Sequence, residues 1–582
     1  MYSNAIISDT VSPAAATLVE LLRERAVSLP DQIAYTFLRE GDGTELSITY
    51  AALDQKVRAI AAHLQALHLA GERAVLLYQP GLEFVAAFFG CLYAGMVAVP
   101  VFAPRRNASL DRVHNVSMDA RAAVMLTTRP VLDNLDQDLR ELPNGANSLW
   151  LATDEIPLAL AERWEDRGVF ADSLAFLQYT SGSTAAPRGV MLTHGNLMHN
   201  LALIHRRFGA NSESRGVIWL PPYHDMGLIG GVLVPLFGGF PVVLMSPVTA
   251  LQRPIRWLQA ISKYRATISG GPNFAYELCL NKITPEQREG LDLNSWQVAF
   301  NGAEPVRADT LQRFSQFFAP CGFRRQAFYP CYGLAEASLF VTGSAPDQAP
   351  VTASFDRQAL EQGTAHPVQT SLAAQAGRRL VSSGRPSASE QVLIVDPTNV
   401  AQAKPCAVGE IWVAGPSVAR GYWNRPAESA HTFGARLANG DGPFMRTGDL
   451  GFIRDGELFV TGRLKEVIII RGHNHYPQDI ELTAANSHPL LRAGRGAAFA
   501  IENEQDEQLV LIHEVERRYE AAQLPEALAA ARAAISAEHQ LQVRSIVLVK
   551  AGVVPITSSG KVQRTACRGL WQAGELPVLM EA

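Results

Sequence analysis

The sequence predicts an α/β protein with a large N-terminal domain of layered αβ subdomains, a β-rich subdomain and a small α+β C-terminal domain. Three observations support this prediction. Strand-like apolar runs alternate with amphipathic helical runs through the first three-quarters of the chain, a pattern typical of largely parallel sheets. From about residue 382 the strands become shorter and alternate with turns. After residue 464 the chain returns to mixed helix and strand patterns, including an Ala-rich amphipathic run.

Length and composition limit the possible classes of protein. At 582 residues the chain is too long for one core. We expect a large domain over 1–463 and a small domain over 464–582. The β-rich subdomain should occupy about 382–463 of the large domain. The net charge is −5 and no basic stripe is present, so a nucleic-acid partner is not expected. The six cysteines form no CxxC motif. They indicate neither a zinc site nor a disulfide framework and are typical of a cytoplasmic protein.

The individual elements of the large domain follow from the apolar pattern. Strands are predicted at 74–78, 123–127, 241–245, 266–270 and 296–302, and helices at 51–69 and 254–264. The uncharged run 84–104 is long enough to span a membrane, but Gly90, Gly95 and Pro100 interrupt it. We therefore predict a buried helix followed by a buried parallel strand, and no transmembrane segment or signal peptide.

The loop after the apolar run 174–179 carries the first chemical signal. Small and hydroxyl residues fill it, Pro187, Arg188 and Gly189 close it, and a second apolar run follows. Small residues let backbone N–H groups converge on an anion. Hydroxyls with a guanidinium favour a polyphosphate, although such a loop could also be a flexible linker. The candidate phosphate-binding residues are Thr180, Ser181, Gly182, Ser183, Thr184 and Arg188.

This loop, YTSGSTAAPRG, resembles the phosphate-binding signature of the acyl-adenylate-forming enzymes, usually written YTSGTTGxPKG. It departs from that signature at Ala185, where a glycine is common, and at Arg188, where a lysine is common. Arg188 keeps the positive charge and adds a bidentate fork. The resemblance implies that the loop binds the β- and γ-phosphates of ATP and that Arg188 grips the departing pyrophosphate.

Two further motifs match the same family. YGLAE at 332–336 resembles the family's YGxTE, which implies that Tyr332, with Gly333, stacks on adenine and that Glu336 holds Mg²⁺ together with Thr184. We expect this motif in a turn that enters a helix. NGAEP at 301–305 resembles the loop that lies along the adenine, which implies nucleotide contacts for Asn301, Gly302, Ala303 and Glu304. Without the resemblance, Glu336 could be a surface carboxylate in the first turn of a helix. The NGAEP segment could likewise be a simple turn at the end of a strand.

The C-terminal half of the chain supplies the remaining family motifs. RTGDLGF resembles the TGD motif, which implies that Asp449 binds the ribose hydroxyls, although a turn former would look the same. Arg463 is placed to contact ribose or phosphate, and Lys465 occupies the hinge about which a mobile small domain rotates. PITSSGKVQR resembles the catalytic-lysine motif, and implies that Lys561 stabilises the charge that develops on the α-phosphate. A solvated loop charge is the alternative.

The acyl site indicates a branch of the family. His224, in PPYHDMGLIGG, stands where amino-acid-activating members commonly have an Asp, and no obvious anion for an amine surrounds it. An unsubstituted carboxylate is therefore favoured as substrate. The alternative interpretation of His224 is a histidine of the core.

The segments PPYHDMGLIGG and SGGPNFAYELC resemble those of the fatty acyl-AMP ligases. An insertion before residues 382–386 also resembles that group, and it contains a helix candidate around 355–363 capped by Ser354. In that group the insertion is thought to restrain the small domain and to disfavour transfer of the acyl group to CoA, so the resemblance implies the same here. A variable surface loop is the alternative.

Together the resemblance implies a cytoplasmic fatty acyl-AMP ligase. It would use ATP and Mg²⁺ to convert a medium- or long-chain fatty acid into acyl-AMP and pyrophosphate. The acyl group would then pass to the phosphopantetheine thiol of an acyl carrier protein, or of a polyketide or nonribosomal carrier domain, acting in trans. The alternatives are a fatty acyl-CoA synthetase and a nucleotide-binding regulatory protein without catalysis.

Overall fold

The computed structural model describes residues 15–39, 44–102, 111–135, 149–180, 187–368, 377–470, 473–502, 507–557 and 560–582. Its architecture is α/β, with a large N-terminal part and a smaller C-terminal part. Among the described residues, no helix combines the length and apolarity needed to cross a bilayer.

Two large sheets form the N-terminal part. The first comprises β1 Ile33–Leu38, β2 Glu45–Thr49, β9 Gly216–Ile218, β10 Val242–Met245, β11 Ile268–Gly271, β12 Val298–Asn301, β13 Phe328–Tyr332, β14 Thr342–Gly343 and β17 Arg385–Pro386. Its strand order is β17-β14-β13-β12-β11-β9-β10-β1-β2. The second comprises β3 Arg73–Tyr78, β4 Val97–Phe102, β5 Val124–Thr127, β6 Leu149–Ala152, β7 Leu174–Thr180 and β8 Arg188–Thr193, in the order β6-β5-β3-β4-β7-β8.

Smaller sheets follow along the chain. A four-stranded antiparallel sheet contains β18 Gln391–Val395, β19 Gly409–Ala414, β20 Met445–Arg454 and β21 Glu457–Arg463. Two hairpins contain β15 Thr352–Phe355 with β16 Arg378–Val381, and β22 Ile468–Ile470 with β23 His473–His475. The C-terminal sheet contains β24 Leu491–Glu502, β25 Glu507–Val515, β26 Val543–Val549 and β27 Val578–Glu581.

Helices cover the sheets. In chain order they are α1 Leu18–Ser28, α2 Tyr50–Ala66, α3 Leu82–Tyr93, α4 Asp111–Ala120, α5 Arg129–Asp133, α6 His194–Phe208, α7 Val234–Gly238, α8 Pro247–Gln252, α9 Ile255–Tyr264, α10 Asn273–Lys282, α11 Ala308–Phe318, α12 Arg357–Glu361, α13 Pro426–Phe433, α14 Pro477–Ser487, α15 Leu524–His539 and α16 Arg564–Gln572. A π-helical segment, Met226–Leu233, precedes α7.

The described part of the apolar run 84–104, up to Phe102, forms a buried helix and a buried strand, as predicted. Helix α3 is buried along nearly its whole length, and β4 pairs in parallel with β3 and β7. Both lie inside the N-terminal core, where continuous apolar sequence is expected for strands covered on both faces. The C-terminal part has its own apolar clusters on the two faces of its sheet, within residues 468–580.

Three local predictions are wrong. The TGD motif lies within strand β20 rather than in a turn, because Asp449 pairs with β21 and Leu450 pairs with both β19 and β21. The YGLAE motif forms a single 3₁₀ turn, Ala335–Ala337, and no helix follows, since the chain continues into β14. The helix after residue 355 is capped by Asp356, whose carboxylate accepts from the Ala359 N–H at 2.7 Å. Ser354 instead belongs to strand β15.

Candidate active site

The motifs predicted from the sequence converge on one large cavity. It has a volume of about 2070 Å³ and lies where the N-terminal and C-terminal parts face each other. The predicted residues that line it are Thr180, Arg188, His224, Gly302, Ala303, Glu304, Tyr332, Gly333, Glu336, Asp449, Arg463, Lys465 and Lys561. The predicted Ser181, Gly182, Ser183 and Thr184 lie outside the described residues.

Asn301 lies behind the cavity wall rather than on it. Its side chain is fully buried, and neither amide atom finds a hydrogen-bond partner among the described residues. The next residues turn into the cavity, because Ala303 adopts a left-handed backbone conformation with φ of 69°. Such a conformation is uncommon for a residue with a side chain and is often found at functional sites.

Asp449 is held by two side chains from other strands. The Tyr332 hydroxyl donates to its Oδ2 at 2.8 Å, and Arg463 Nε donates to its Oδ1 at 3.1 Å. The Asp449 carboxylate in turn raises the pKa of Arg463, while burial raises the pKa of Tyr332 well above its usual value. The carboxylate is therefore fixed beside a permanently charged guanidinium and retains lone pairs for a polar ligand.

Glu336 is half-buried at the cavity wall beside Tyr422. The Tyr422 hydroxyl donates to Glu336 Oε1 at 2.9 Å. Burial raises the pKa of Glu336, and the hydrogen bond from Tyr422 opposes that effect. Gly333, three residues earlier, lets the main chain pass close to Leu339, because a Cβ there would lie 1.6 Å from the Leu339 carbonyl oxygen.

Arg188 is the first residue of strand β8 and contacts the ring of the same tyrosine. Its guanidinium carbon lies 5.6 Å from the Tyr422 ring centroid, within the range of a cation–π contact. Its Nε lies 3.0 Å from the Glu428 carboxylate on helix α13. Tyr422 thus contacts both Arg188 and Glu336, which ties the end of the phosphate loop to the predicted metal ligand.

Lys561 reaches the cavity from a tight turn in the C-terminal part. The Thr557 N–H donates to the Lys561 carbonyl at 2.8 Å, and the Lys561 N–H donates to Thr557 Oγ1 at 3.1 Å. Gly560 has φ of 87°, and a Cβ built on it would lie 3.3 Å from the Phe274 ring of α10 in the N-terminal part. The two parts of the chain therefore come close together here.

The charges around Lys561 come mainly from the N-terminal part. Burial, followed by the charge of Arg463, lowers the pKa of Lys561, and the carboxylates of Asp225, Glu304 and Asp449 oppose this. Burial likewise raises the pKa of Glu304, which accepts from the Phe274 N–H at 2.6 Å. The charges that act on the ammonium thus belong to the other part of the chain.

His224 is paired with a neighbouring carboxylate. Its Nδ1 lies 2.6 Å from Asp225 Oδ1, which also accepts from the Met226 N–H at 2.7 Å. Burial disfavours the Asp225 anion, but the charge and hydrogen bond of His224, with the charge of Lys561, lower its pKa overall. The expectation of no anion beside His224 is therefore wrong, although this carboxylate is already occupied by the imidazole.

Glu336 fits a metal ion that arrives with phosphates. Among the described residues, no group of three His, Cys, Asp or Glu side chains could hold a metal. Mg²⁺ commonly takes one or two protein carboxylates and completes its shell with phosphate oxygens and water. A half-buried carboxylate whose pKa is raised by desolvation is compatible with this arrangement, since a cation would favour the ionised form.

The insertion predicted before residue 382 contacts the C-terminal part. Arg357 Nη2 donates to Glu538 at 2.8 Å, and Arg357 Nη1 lies 3.4 Å from His539 Nδ1. Arg378 pairs with Asp479 at 2.8 Å and lies over the Tyr476 ring. These contacts join hairpin β15–β16 and helix α12 to helices α14 and α15.

Sequence reasoning did not assign roles to Asp225, Tyr422 and Glu428. Asp225 follows His224 directly and could have been found from that adjacency. Tyr422 and Glu428 belong to GYWNRPAE, for which no chemical pattern was recognised. Their contacts with Glu336 and Arg188 arise only from the tertiary fold.

Comparisons with known proteins identify the family of this chain. Residues 22–423 match the family described as AMP-binding enzyme, and residues 465–581 match that described as Disco-interacting protein 2-like, AMP domain. A medium-chain-fatty-acid–[acyl-carrier-protein] ligase, JamA, of Moorena producens (strain JHB) is 49% identical over 97% of this chain and 96% of its own. The long-chain-fatty-acid–AMP ligase FadD26 of Mycobacterium bovis is 38% identical over 94% of this chain and 96% of its own.

A solved structure shows the same fold with reaction components bound. The fatty acyl-adenylate ligase of L. pneumophila, in complex with acyl adenylate and pyrophosphate, is 41% identical with a TM-score of 0.76 and 98% coverage of both chains. The chain therefore belongs to the AMP-binding enzyme family, and within it to the fatty acyl-AMP ligases.

Proposed function

We propose that this chain activates a medium- or long-chain fatty acid with ATP and Mg²⁺, releases pyrophosphate, and transfers the acyl group to a carrier-protein thiol. The observation that carries the proposal is the placement of Lys561. It extends from the C-terminal part into a cavity lined by the predicted ATP-binding and acyl-binding motifs. Composition continues to favour the cytoplasm as its location.

The nucleotide binds at the polar end of the cavity. Asp449 accepts hydrogen bonds from ribose hydroxyls while Tyr332 and Arg463 hold its carboxylate in place. The Tyr332 ring and the turn at 302–304 contact the adenine. Arg188 binds the β- and γ-phosphates, and Glu336 holds Mg²⁺, which when bound offsets the charge of the triphosphate.

Activation is a displacement at the α-phosphorus. A carboxylate oxygen of the fatty acid forms the new P–O bond, and the bond to the β-phosphate oxygen breaks, so that pyrophosphate leaves with its electron pair. Negative charge accumulates on the α-phosphate oxygens, and the Lys561 ammonium stabilises it at short range. His224, oriented by Asp225, positions the attacking carboxylate.

A carrier protein is the proposed acceptor in place of CoA. Arg357 and Arg378 fasten the insertion to the C-terminal part, which opposes the rotation that CoA transfer requires in this family. JamA is named as a ligase of fatty acids to acyl-carrier protein. A CoA ligase is the second candidate, because a 38% identical relative in Mycobacterium leprae is named as a putative fatty-acid–CoA ligase.

ATP–pyrophosphate exchange with a series of fatty acids tests the proposal. The expected result is fatty-acid-dependent incorporation of labelled pyrophosphate into ATP that is abolished by removal of Mg²⁺. Amino acids should not support exchange, because Asp225 is already paired with His224. Absence of exchange with every fatty acid, together with measurable ATP binding, would favour a regulatory nucleotide-binding protein instead.

A further inference from the structure

Part of the lining of the cavity is apolar and carries no charged side chain. It comes from four separate elements, and we call it the apolar arm: Ile204 and Phe208 of α6, Gly230 of the π-helical segment, Phe300 of β12, and Leu339 and Phe340 after the 3₁₀ turn. Because His224 lines the same cavity, the alkyl chain of a fatty acid whose carboxylate binds there is the ligand that this surface suits.

Phe208 is a fixed wall of this arm. It is the last residue of α6, and Gly209 turns the chain away with φ of 63°. Its ring lies 4.9 Å from that of Tyr329, 6.1 Å from that of Phe300 and 6.3 Å from that of Phe340, measured between centroids. Contacts with three rings hold the phenyl group in one place, so an alkyl chain cannot readily displace it.

Gly230 differs from its two glycine neighbours on the π-helical segment. A Cβ at Gly227 would lie 2.0 Å from the Pro221 carbonyl oxygen, and one at Gly231 would lie 2.6 Å from Ile218 Cγ2. A Cβ at Gly230 would make an ordinary contact, 3.5 Å from Leu339 Cδ2. Close packing therefore requires glycine at 227 and 231 but not at 230, where a side chain would occupy part of the arm.

We infer that Phe208 and Gly230 set the length of the acyl chain that the protein accepts. Phe208 blocks the arm, and the missing side chain at Gly230 keeps it open up to that block. The inference rests on the proposed function, since it concerns the same fatty-acid site. Both residues would contact the alkyl chain of the fatty acid, and neither would contact the reacting atoms.

The test compares two acids in one preparation of each variant, by ATP–pyrophosphate exchange. In Phe208→Ala, the ratio of kcat/KM for a twelve-carbon acid to that for an eight-carbon acid should rise about tenfold or more, because each additional buried methylene contributes about fourfold. In Gly230→Leu, the same ratio should fall by a similar factor. The ratio cancels any loss of folded protein.

Phe318→Ala is the matched control. Phe318 is fully buried and lies 4.5 Å from Phe314, between ring centroids, but does not line the cavity. Its removal should lower stability and leave the ratio unchanged. If unmodified protein exchanges pyrophosphate while neither Phe208→Ala nor Gly230→Leu changes the ratio, the inference is overturned and the proposed function stands. If the unmodified protein supports no exchange with any fatty acid, both are overturned.

Discussion

The Tyr332 hydroxyl donates a 2.8 Å hydrogen bond to the carboxylate of Asp449, 117 residues further along the chain. This contact joins the last residue of β13 in the nine-stranded sheet to β20 in the four-stranded sheet. Arg463 approaches the other carboxylate oxygen from β21. The proposed ribose site is therefore assembled from three strands of two sheets.

Asp449→Asn should weaken ATP binding specifically. The amide removes the charge that faces Arg463 and one acceptor for ribose, and hydrogen bonds to charged groups contribute about 1.5–3 kcal/mol. The KM for ATP in the exchange assay should rise about tenfold to a hundredfold, with a smaller change in the KM for the fatty acid. Asp441→Asn, in an exposed turn, is the control. An equal rise in both KM values would argue against a nucleotide role for Asp449.

Lys561→Ala should abolish most adenylate formation while leaving ATP bound. Loss of a preorganised charge contact in a transition state lowers kcat about a hundredfold to a thousandfold. Lys550→Ala, at an exposed position of the C-terminal part, should have normal activity. Exchange by Lys561→Ala at near-normal rates would show that this ammonium does not act on the α-phosphate.

The decline of kcat at alkaline pH should reflect the deprotonation of the Lys561 ammonium. Burial and Arg463 lower its pKa, so the ammonium should lose its proton below about 10.4, the value of a free lysine. Because the charged form is the active one, kcat should decline as the pH rises through that lowered pKa. Arg463→Gln removes a repelling charge and should move the decline to higher pH, even if activity is reduced. If kcat of Arg463→Gln declines at the same pH as kcat of the unmodified protein, Lys561 is not the group whose deprotonation causes the decline.

Contacts of the insertion can be removed without damaging its core. Deletion of 355–363 would also remove Phe355, whose ring packs against Phe452 and Phe459. The double variant Arg357→Ala/Arg378→Ala leaves that cluster intact and removes two ion pairs between the insertion and the C-terminal part, while the Glu361–His475 contact at 3.5 Å remains. The partly exposed Arg357–Glu538 pair contributes only about 0–1 kcal/mol. Removal of the buried Arg378 costs more, because it leaves the Asp479 carboxylate without that partner.

The expected result for this double variant is a gain in acyl-CoA formation with unchanged pyrophosphate exchange. Arg129→Ala, which removes an exposed pair with Glu155, controls for the loss of a surface arginine. Acyl-CoA formation that stays at the level of the unmodified protein would show that these contacts do not determine the acceptor.

Local patterns predicted the strands of the large sheets and most motif residues at the cavity. The run 74–78 forms most of β3 and the run 241–245 most of β10, because buried parallel strands read as continuous apolar sequence. The environment of Glu336 was not predictable, since Tyr422 reaches it across 86 residues. The strand at Asp449 was missed because its Gly and Asp residues favour turns locally, whereas pairing with two neighbouring strands outweighs that preference.

The most direct test of the proposed function is a product assay with an eight-carbon fatty acid, ATP, Mg²⁺ and either CoA or a phosphopantetheinylated carrier protein. The products are separated and quantified as acyl-AMP, acyl-CoA and acyl-carrier thioester. Acyl-AMP should accumulate with CoA present, and the acyl group should move to the carrier protein when it is supplied. Efficient acyl-CoA synthesis by the unmodified protein, without transfer to any carrier, would contradict this account.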